Sequence, residues 1–564
     1  MHTKKIAYFS MEIALESDMK TYSGGLGVLA GDTLRAAADL NVPLVAVTLV
    51  HSKGYVRQHL DANGHQEEQE DPWEPEKRLD EASERVEVRI EGRRVHLRAL
   101  KYVVRGAAGG VVPVFLLDAN LPENDPRDRN LTSFLYGGDE RYRLAQEVVL
   151  GIGGVRLLRA LGCSELERFH MNEGHAALLG LELLDEQARA SGRARFTHED
   201  VIKVRELCVF TTHTPVPSGH DQFPLGLVKD VLGRAEVLEM HEVFCCEGVL
   251  NMTYLALNLS HYVNGVAKRH GEISQHMFAA YHIDAITNGI HVATWASEAF
   301  RALFDQHLSG WRLDNFSLRY ALRIPRQAIW TAHQTAKSAL LQKVRLASGV
   351  ELRDEAFTIG YARRATAYKR PFLIFRDIER LRHMVRSAGP LQILYAGKAH
   401  PRDDGGKRAI ADIVTSAKAL AGDVSVVYLE NYDVELAKLM IAGVDLWLNT
   451  PQPPLEASGT SGMKAAVNAV PTLSVLDGWW LEGHVEGVTG WSIGSRDAPG
   501  KGEPSDDARD AEELYEKLER IILPLYYQRS DDYVDVMRSA IALTGSFFNT
   551  HRMLQQYIAH AYLE

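Results

Sequence analysis

Val444-Asp445-Leu446-Trp447-Leu448-Asn449-Thr450, Glu456-Ala457-Ser458-Gly459-Thr460-Ser461-Gly462-Met463-Lys464 and Thr472-Leu473-Ser474-Val475-Leu476 follow one another in the last quarter of the chain. The first and third stretches are continuous apolar runs of strand length. Between them a small, polar, glycine-rich turn opens a helix expected over Gly462–Ala469. A strand apolar on both faces needs cover on both faces, which a parallel sheet with crossover helices provides.

The same alternation extends upstream. Strands are expected at Phe357–Ala362, Gln392–Ala396 and Ser425–Leu429, with helices at Pro371–Ser387, Lys407–Leu420 and Val434–Ile441. A second block of this kind begins the chain: strand Ile6–Ser10, helix Gly27–Leu40, strand Pro43–Val50, then strands Val111–Leu117, Arg168–Asn172 and Cys208–Thr214. At 564 residues the chain exceeds the size at which one hydrophobic core stops growing, about 250–300 residues. The expectation is an α/β protein with two doubly wound, Rossmann-like domains, residues 1–294 and 295–564. A helix over Pro325–Leu346 would lead into the second sheet, and helices over Leu514–Tyr527 and Tyr533–Tyr562 would close the chain. His65–Arg85 and Gly494–Glu512, charged and Pro/Gly-containing, read as exposed loops. Doubly wound sheets bind ligands at the carboxyl ends of their strands, so two facing sheets would collect a site in the cleft between them.

Composition narrows the function. A net charge of −11 argues against a nucleic-acid partner, which needs clustered Lys and Arg. Hydrophobic residues at 46% and charged residues at 24% are those of a soluble globular protein. The four cysteines, Cys163, Cys208, Cys245 and Cys246, make neither a disulfide framework nor a zinc motif. No apolar run approaches a membrane span or a secretory signal, so a cytoplasmic protein without a metal is expected.

The chemistry gathers just after strands. In Glu456–Lys464, the backbone N–H groups of Ser458–Gly462 and the start of the helix suit an anion. A lysine one turn further on is what a covalently held aldehyde cofactor with a phosphate tail requires. The G-x-x-x-x-G-K-[ST] spacing of a nucleotide-phosphate loop is absent. Gly360–Arg370 sets four cations, Arg363, Arg364, Lys369 and Arg370, beside Tyr368 at a strand end. Gly25-Leu26-Gly27-Val28-Leu29-Ala30 fits a dinucleotide fingerprint. The second strand, however, ends in Leu49-Val50-His51-Ser52 without the acid that would hold a ribose hydroxyl, which argues against that reading.

Glu456–Lys464 resembles the pyridoxal-phosphate segment of the glycogen and maltodextrin phosphorylases, E-A-S-G-T-x-x-M-K, with Asn468 and Leu476-Asp477-Gly478 at matching spacing. The resemblance runs from about Ala7 to Asp477. It takes in Arg363–Arg370 (similar to K-R-x-x-x-Y-K-R), Gly24–Ala30, Asn172-Glu173-Gly174-His175, Thr212-His213-Thr214, Val263–Lys268 and Thr287-Asn288-Gly289-Ile290 with Trp295. It implies the two-domain GT-B glycosyltransferase architecture and pyridoxal 5'-phosphate on Lys464. Gly25, Arg363, Thr460, Ser461 and Trp295 would be cofactor contacts. Arg364 and Lys369 would bind the substrate phosphate. Glu456, Ser458, Gly459, His213, His175, Asn288 and Tyr368 would bind the sugar.

Arg363 stands where the family usually has Lys, keeping the charge with a different donor geometry; Ser461-Gly462 stands where better-known members read G-N, which points to a divergent, short bacterial-type branch. The implied reaction is reversible phosphorolysis of a terminal α-1,4-linked glucose to glucose 1-phosphate with retention, the cofactor phosphate serving as acid–base partner. The resemblance also implies homodimers, which no feature of this sequence itself indicates. The chain begins almost at its first strand, which leads to the expectation of a constitutive enzyme without an N-terminal control segment. Two rivals stand beside this reading. A sugar-nucleotide-dependent glucan synthase would want a basic residue before the glycine turn, where Tyr22-Ser23 stand. A catalytically silent glucan-binding protein would have no use for the lysine and the cation cluster.

Overall fold

The computed structural model describes residues 4–216, 219–494 and 506–563. The chain divides into two compact units: Met1–Tyr55 with Glu70–Thr287 and Met553–Glu564, and Val56–Gln69 with Asn288–Arg552.

In the second unit six parallel strands lie in the order Ser425–Leu429, Leu391–Ala396, Phe357–Ala362, Leu446–Asn449, Thr472–Val475, Gly490–Ile493. Counted along the chain this is third, second, first, fourth, fifth, sixth, the doubly wound arrangement. The order reverses between Phe357–Ala362 and Leu446–Asn449. Both strands are buried throughout, as their continuous apolar sequences require. Asp445, which precedes the second of them, is fully buried among His333, Lys337, Tyr526 and the N–H of Thr358. Helix Arg326–Ser348 carries His333 and Lys337 across the sheet.

In the first unit the parallel strands run Asp284–Ala285, Tyr262–Gly265, Cys208–Thr211, Arg168–Asn172, Ile6–Ser10, Leu44–Leu49, Val111–Asp118. Here the order reverses between Ile6–Ser10 and Arg168–Asn172. An antiparallel strand, Arg93–Arg105, extends the sheet and pairs with Val86–Ile90 and Asp80–Glu81.

Several expectations need correction. A single cut after residue 294 misses two exchanges. Hairpin Arg57–Leu60/Gln66–Gln69 packs in the second unit, where the buried amides of Gln58 and Gln66 donate to Gly397 O (2.9 Å) and Ala399 O (3.0 Å). The last residues return to the first unit. There Tyr562 Oη lies 2.7 Å from His170 Nδ1, and Tyr557 Oη lies 3.0 Å from both Thr211 Oγ1 and Asn264 Nδ2. His65–Arg85 is therefore not a plain exposed loop: Gln66, Pro75 and Leu79 are buried in it. Within Gly494–Glu512, residues 495–505 lie outside those described, and a helix already begins at Asp507. The helix expected from Pro371 starts only at Ile378, after a tight turn at Leu373–Phe375. Among the described residues no helix is long and apolar enough to cross a membrane.

Candidate active site

A doubly wound sheet opens a crevice at the carboxyl ends of the strands flanking its order reversal. In the second unit those ends release Arg363 and Arg364 after Ala362, and Thr450 onward after Asn449. The strand end is set by a close approach. Arg363 N donates to Ala396 O, and a Cβ on Gly397 (φ +145°) would fall 1.9 Å from Arg363 O, so only glycine fits there.

The two segments meet at Glu456. Its Oε2 accepts from both Arg363 Nη2 and Lys369 Nζ, and all three side chains are at least nine-tenths buried. Burial pushes the Glu456 carboxyl up, but the Arg363 and Lys369 charges outweigh it and hold it at about 2. Glu456 Oε1 takes no hydrogen bond from any described residue. Arg363 Nη1 is buried without a partner among the described residues. Arg364 is exposed and makes no ion pair among the described residues. The ring of Tyr368 lies 4.5 Å below Lys369 Nζ.

Arg370, the fourth cation, turns away. Its left-handed backbone (φ +47°) sends the guanidinium to Thr450 O (3.0 Å), Pro451 O (2.9 Å), Asp507 and Asp510. It fixes the loop and does not join the cluster.

Below Glu456, Asp477 accepts Glu456 N (2.8 Å) and Gly478 N (2.9 Å), which sets the entry into the lysine loop. Burial pushes the Asp477 carboxyl up to about 7; the Glu456 N–H opposes that, and the Glu456 charge adds to it. Ser458 is buried and its carbonyl accepts Trp479 N (2.9 Å). Gly459 is left-handed (φ +75°), and Thr460 O receives Lys464 N. Ser461 Oγ is engaged by Trp447 Nε1 at 3.0 Å. The helix that follows is only Ser461–Ala466, so its dipole contributes less than the sequence led one to expect. Holding an anion falls to the side-chain cations.

Lys464 is 8% exposed, with Nζ 4.1 Å from the Trp295 ring centroid. Asn288 is buried. Its carbonyl accepts Arg552 Nη2 (2.9 Å), and its Oδ1 has no partner among the described residues.

The first unit presents its own set at its order reversal. Asn172 Nδ2 donates to Ser10 Oγ (3.0 Å), and Asn172 Oδ1 lies 2.7 Å from His213 Nε2. Burial pushes His213 down to about 4, with Glu173 raising it and His175 lowering it. The ring is therefore neutral at pH 7. With Nε2–H given to Asn172, its Nδ1 is left as an acceptor. Glu173 holds φ +74°, ψ 165°, a conformation that side chains other than glycine's rarely adopt. Its carboxylate accepts Gly174 N, His213 N (2.8 Å) and Thr214 Oγ1.

His175 Nε2 lies 3.2 Å from Asp221 Oδ2. In the glycine turn, a Cβ at Gly27 would clash with Glu12 and Tyr22 at 2.7 Å, whereas one at Gly25 would meet nothing within 4 Å. Gly27 is demanded by packing, and Gly25 leaves open space above the chain. Sequence reasoning gave Glu173 no role of its own and missed Asp221. The glycine after Glu173 was the only local signal for the first, and the second sits in a loop without one. Asn264, part of the Val263–Lys268 stretch, serves the fold, since its Oδ1 accepts Thr211 Oγ1 (2.9 Å) and Tyr557 closes the network.

The second unit's residues fit an aldehyde cofactor with a phosphate tail. A buried amine rests on an aromatic face, an orphaned buried guanidinium nitrogen seeks an acceptor, and Arg363, Arg364 and Lys369 outnumber the carboxylate of Glu456. Comparison with known proteins bears on the same stretch. The family model described as carbohydrate phosphorylase matches residues 235–487. The chain is 37% identical to maltodextrin phosphorylase of Thermococcus litoralis over 594 aligned residues, covering 99% of this chain and 70% of that one. It is 37% identical to glycogen phosphorylase of Mycobacterium tuberculosis over 620 residues (99% and 70%) and 36% identical to that of Aquifex aeolicus over 616 (100% and 86%).

Proposed function

The chain belongs to the carbohydrate phosphorylase family, and on that footing we propose that it is an α-glucan phosphorylase. It would split terminal α-1,4-linked glucose from glycogen or maltodextrin with inorganic phosphate, reversibly and with retention, using pyridoxal 5'-phosphate on Lys464. The observation that carries the reading is Lys464 itself, buried against Trp295 in the same unit as the Arg363–Lys369–Glu456 cluster.

When bound, the cofactor supplies a phosphate group able to exchange a proton with the substrate phosphate. The protein's part is positioning and charge. Lys464 and Trp295 hold the ring. Arg363 Nη1 and Thr460 serve the cofactor phosphate, and Ser461 serves through its backbone, its hydroxyl being occupied by Trp447. Arg364 and Lys369 take the substrate phosphate, whose developing charge they stabilise from fixed positions. Glu456 Oε1, ionised at working pH, accepts a sugar hydroxyl, joined by the backbones of Ser458 and Gly459 and by Tyr368 and Asn288. In the first unit His213 offers Nδ1 as acceptor to a sugar hydroxyl, and His175 is a second sugar contact. No pair of protein carboxylates acts on the glycosidic bond, in contrast to a glycosidase.

Borohydride reduction followed by peptide mass mapping tests the reading. A pyridoxyl group on Lys464 is expected. An unmodified Lys464 in protein supplied with excess pyridoxal phosphate would overturn it.

A further inference from the structure

Glu147 is fully buried on helix Glu140–Val148, and neither of its carboxyl oxygens receives a hydrogen bond from any donor among the described residues. A second carboxyl lies beside it: Arg143, one turn earlier on the same helix face, carries an ion pair to Asp221. Two ionised carboxylates in contact inside a protein repel each other, and burial adds to the cost, so one must keep its proton. The surroundings decide which. Asp221 is paired with the Arg143 guanidinium and has His175 Nε2 at 3.2 Å; Glu147 has no donor.

We propose that Glu147 is held as the neutral acid and donates its proton to Asp221, and that this pair positions His175. Asp221 then accepts from three sides: Glu147 Oε–H, Arg143 and His175 Nε2. That orients the His175 ring, with Nε2 turned to Asp221.

The pair belongs to a longer connection within the first unit. The His175 ring lies 5.6 Å from the Tyr136 ring, over which Arg143 also sits. Tyr136, itself left-handed (φ +55°), donates through its hydroxyl to Glu12 Oε1 (3.0 Å). Glu12 Oε2 accepts Ser23 N (2.6 Å) and Gly24 N (3.2 Å), the start of the glycine turn. Glu147 and Asp221 thus sit at one end of a network whose other end shapes Gly24–Gly25. The link to catalysis rests on the proposed role of His175; the protonation of Glu147 does not.

The test uses the full chain and the variants Glu147→Gln, Glu147→Leu and Asp221→Asn. An infrared difference spectrum at pH 8, unmodified chain minus Glu147→Gln, is expected to contain the C=O stretch of a protonated carboxylic acid. Glu147→Gln, which keeps a donor towards Asp221, is expected to stay within about twofold of the unmodified kcat/KM for maltodextrin phosphorolysis. Glu147→Leu and Asp221→Asn are expected to lose about tenfold or more, the worth of one hydrogen bond to a charged group. No acid band in the difference spectrum overturns the proposal, as does a Glu147→Leu protein as active as the Gln variant. Lack of phosphorolysis in the unmodified chain would count against the function and not against the pair, which the spectrum reads without turnover.

Discussion

Lys464 and Trp295 are tied to one amide. The ammonium lies 4.1 Å from the indole centroid, and Asn468 Nδ2 donates to the backbone carbonyls of both residues, at 3.0 Å and 2.8 Å. Asn468 Oδ1 accepts Ser297 N at 2.7 Å, which completes a side chain with no exposed surface. Asn468→Ala would take a donor from two carbonyls and an acceptor from one N–H in a dry site, at about 1–3 kcal/mol for each group left unsatisfied. A fall in Tm of several degrees is expected, with loss of pyridoxal phosphate on gel filtration. Calorimetry and absorbance read both. An unchanged Tm would show that the amide holds nothing.

Glu456 couples the cluster to pH. Its folded-state carboxyl sits at about 2 against an ordinary 4.5, because Arg363 and Lys369 outweigh its burial. The pair's contribution to stability is therefore fully present above pH 4.5 and is lost as pH falls towards 2. A displacement of this size corresponds to roughly 3 kcal/mol. Glu456→Gln should lower stability at pH 7 by that order and flatten the acid limb of the unfolding curve between pH 4.5 and 2. Urea titrations at pH 7, 4.5 and 3 measure this. A variant whose loss is equal at all three values would contradict the ion-triad account.

The strands of both sheets could be read from the sequence because parallel strands buried on both faces leave continuous apolar runs, as at Leu44–Leu49 and Leu391–Ala396. Their lateral order could not, since nothing within a strand names its neighbour. The two order reversals that place the sites emerge only from the pairings. The exchanged segments were hidden for a different reason. Gln58 and Gln66 look like surface residues until the carbonyls of Gly397 and Ala399 supply their partners, and Tyr557 and Tyr562 look like any closing helix. The lysine motif was legible because its residues are contiguous. The pairing of Glu456 with Arg363 spans ninety-three positions and leaves no local trace.

The buried Asp445 yields a prediction about stability alone. His333 and Lys337, both fully buried, approach it at 2.8 Å and 2.6 Å, and burial, which would raise the carboxyl, is outweighed by the Lys337 charge. Removing one partner of such a pair leaves an uncompensated buried charge and costs about 3–5 kcal/mol. Lys337→Met should therefore destabilise the protein by that order, with its midpoint shift in guanidinium far exceeding that of Lys343→Met on the same helix. Equal shifts in the two variants would remove the pair from the account of what anchors the strand Leu446–Asn449.

The two arginines that bracket Lys369 separate phosphate binding from architecture. Arg364 is exposed and engages no described partner, whereas Arg370 is buried and reaches two carbonyls and two carboxylates. If Arg364 binds the substrate phosphate, Arg364→Ala removes a charge-assisted hydrogen bond worth about 1.5–3 kcal/mol and nothing from the fold. KM for phosphate should then rise by roughly tenfold or more, with Tm unmoved. Arg370→Ala leaves Thr450 O, Pro451 O and the buried Asp510 without their donor, so its Tm should fall by several degrees. Arg364→Lys, keeping charge without the planar fork, should recover part of the phosphate affinity. Paired measurements of phosphate KM and Tm on the three variants settle the division. A fall in Tm with unchanged phosphate KM in Arg364→Ala would assign that side chain to the fold and leave Lys369 and Arg363 as the phosphate's cations.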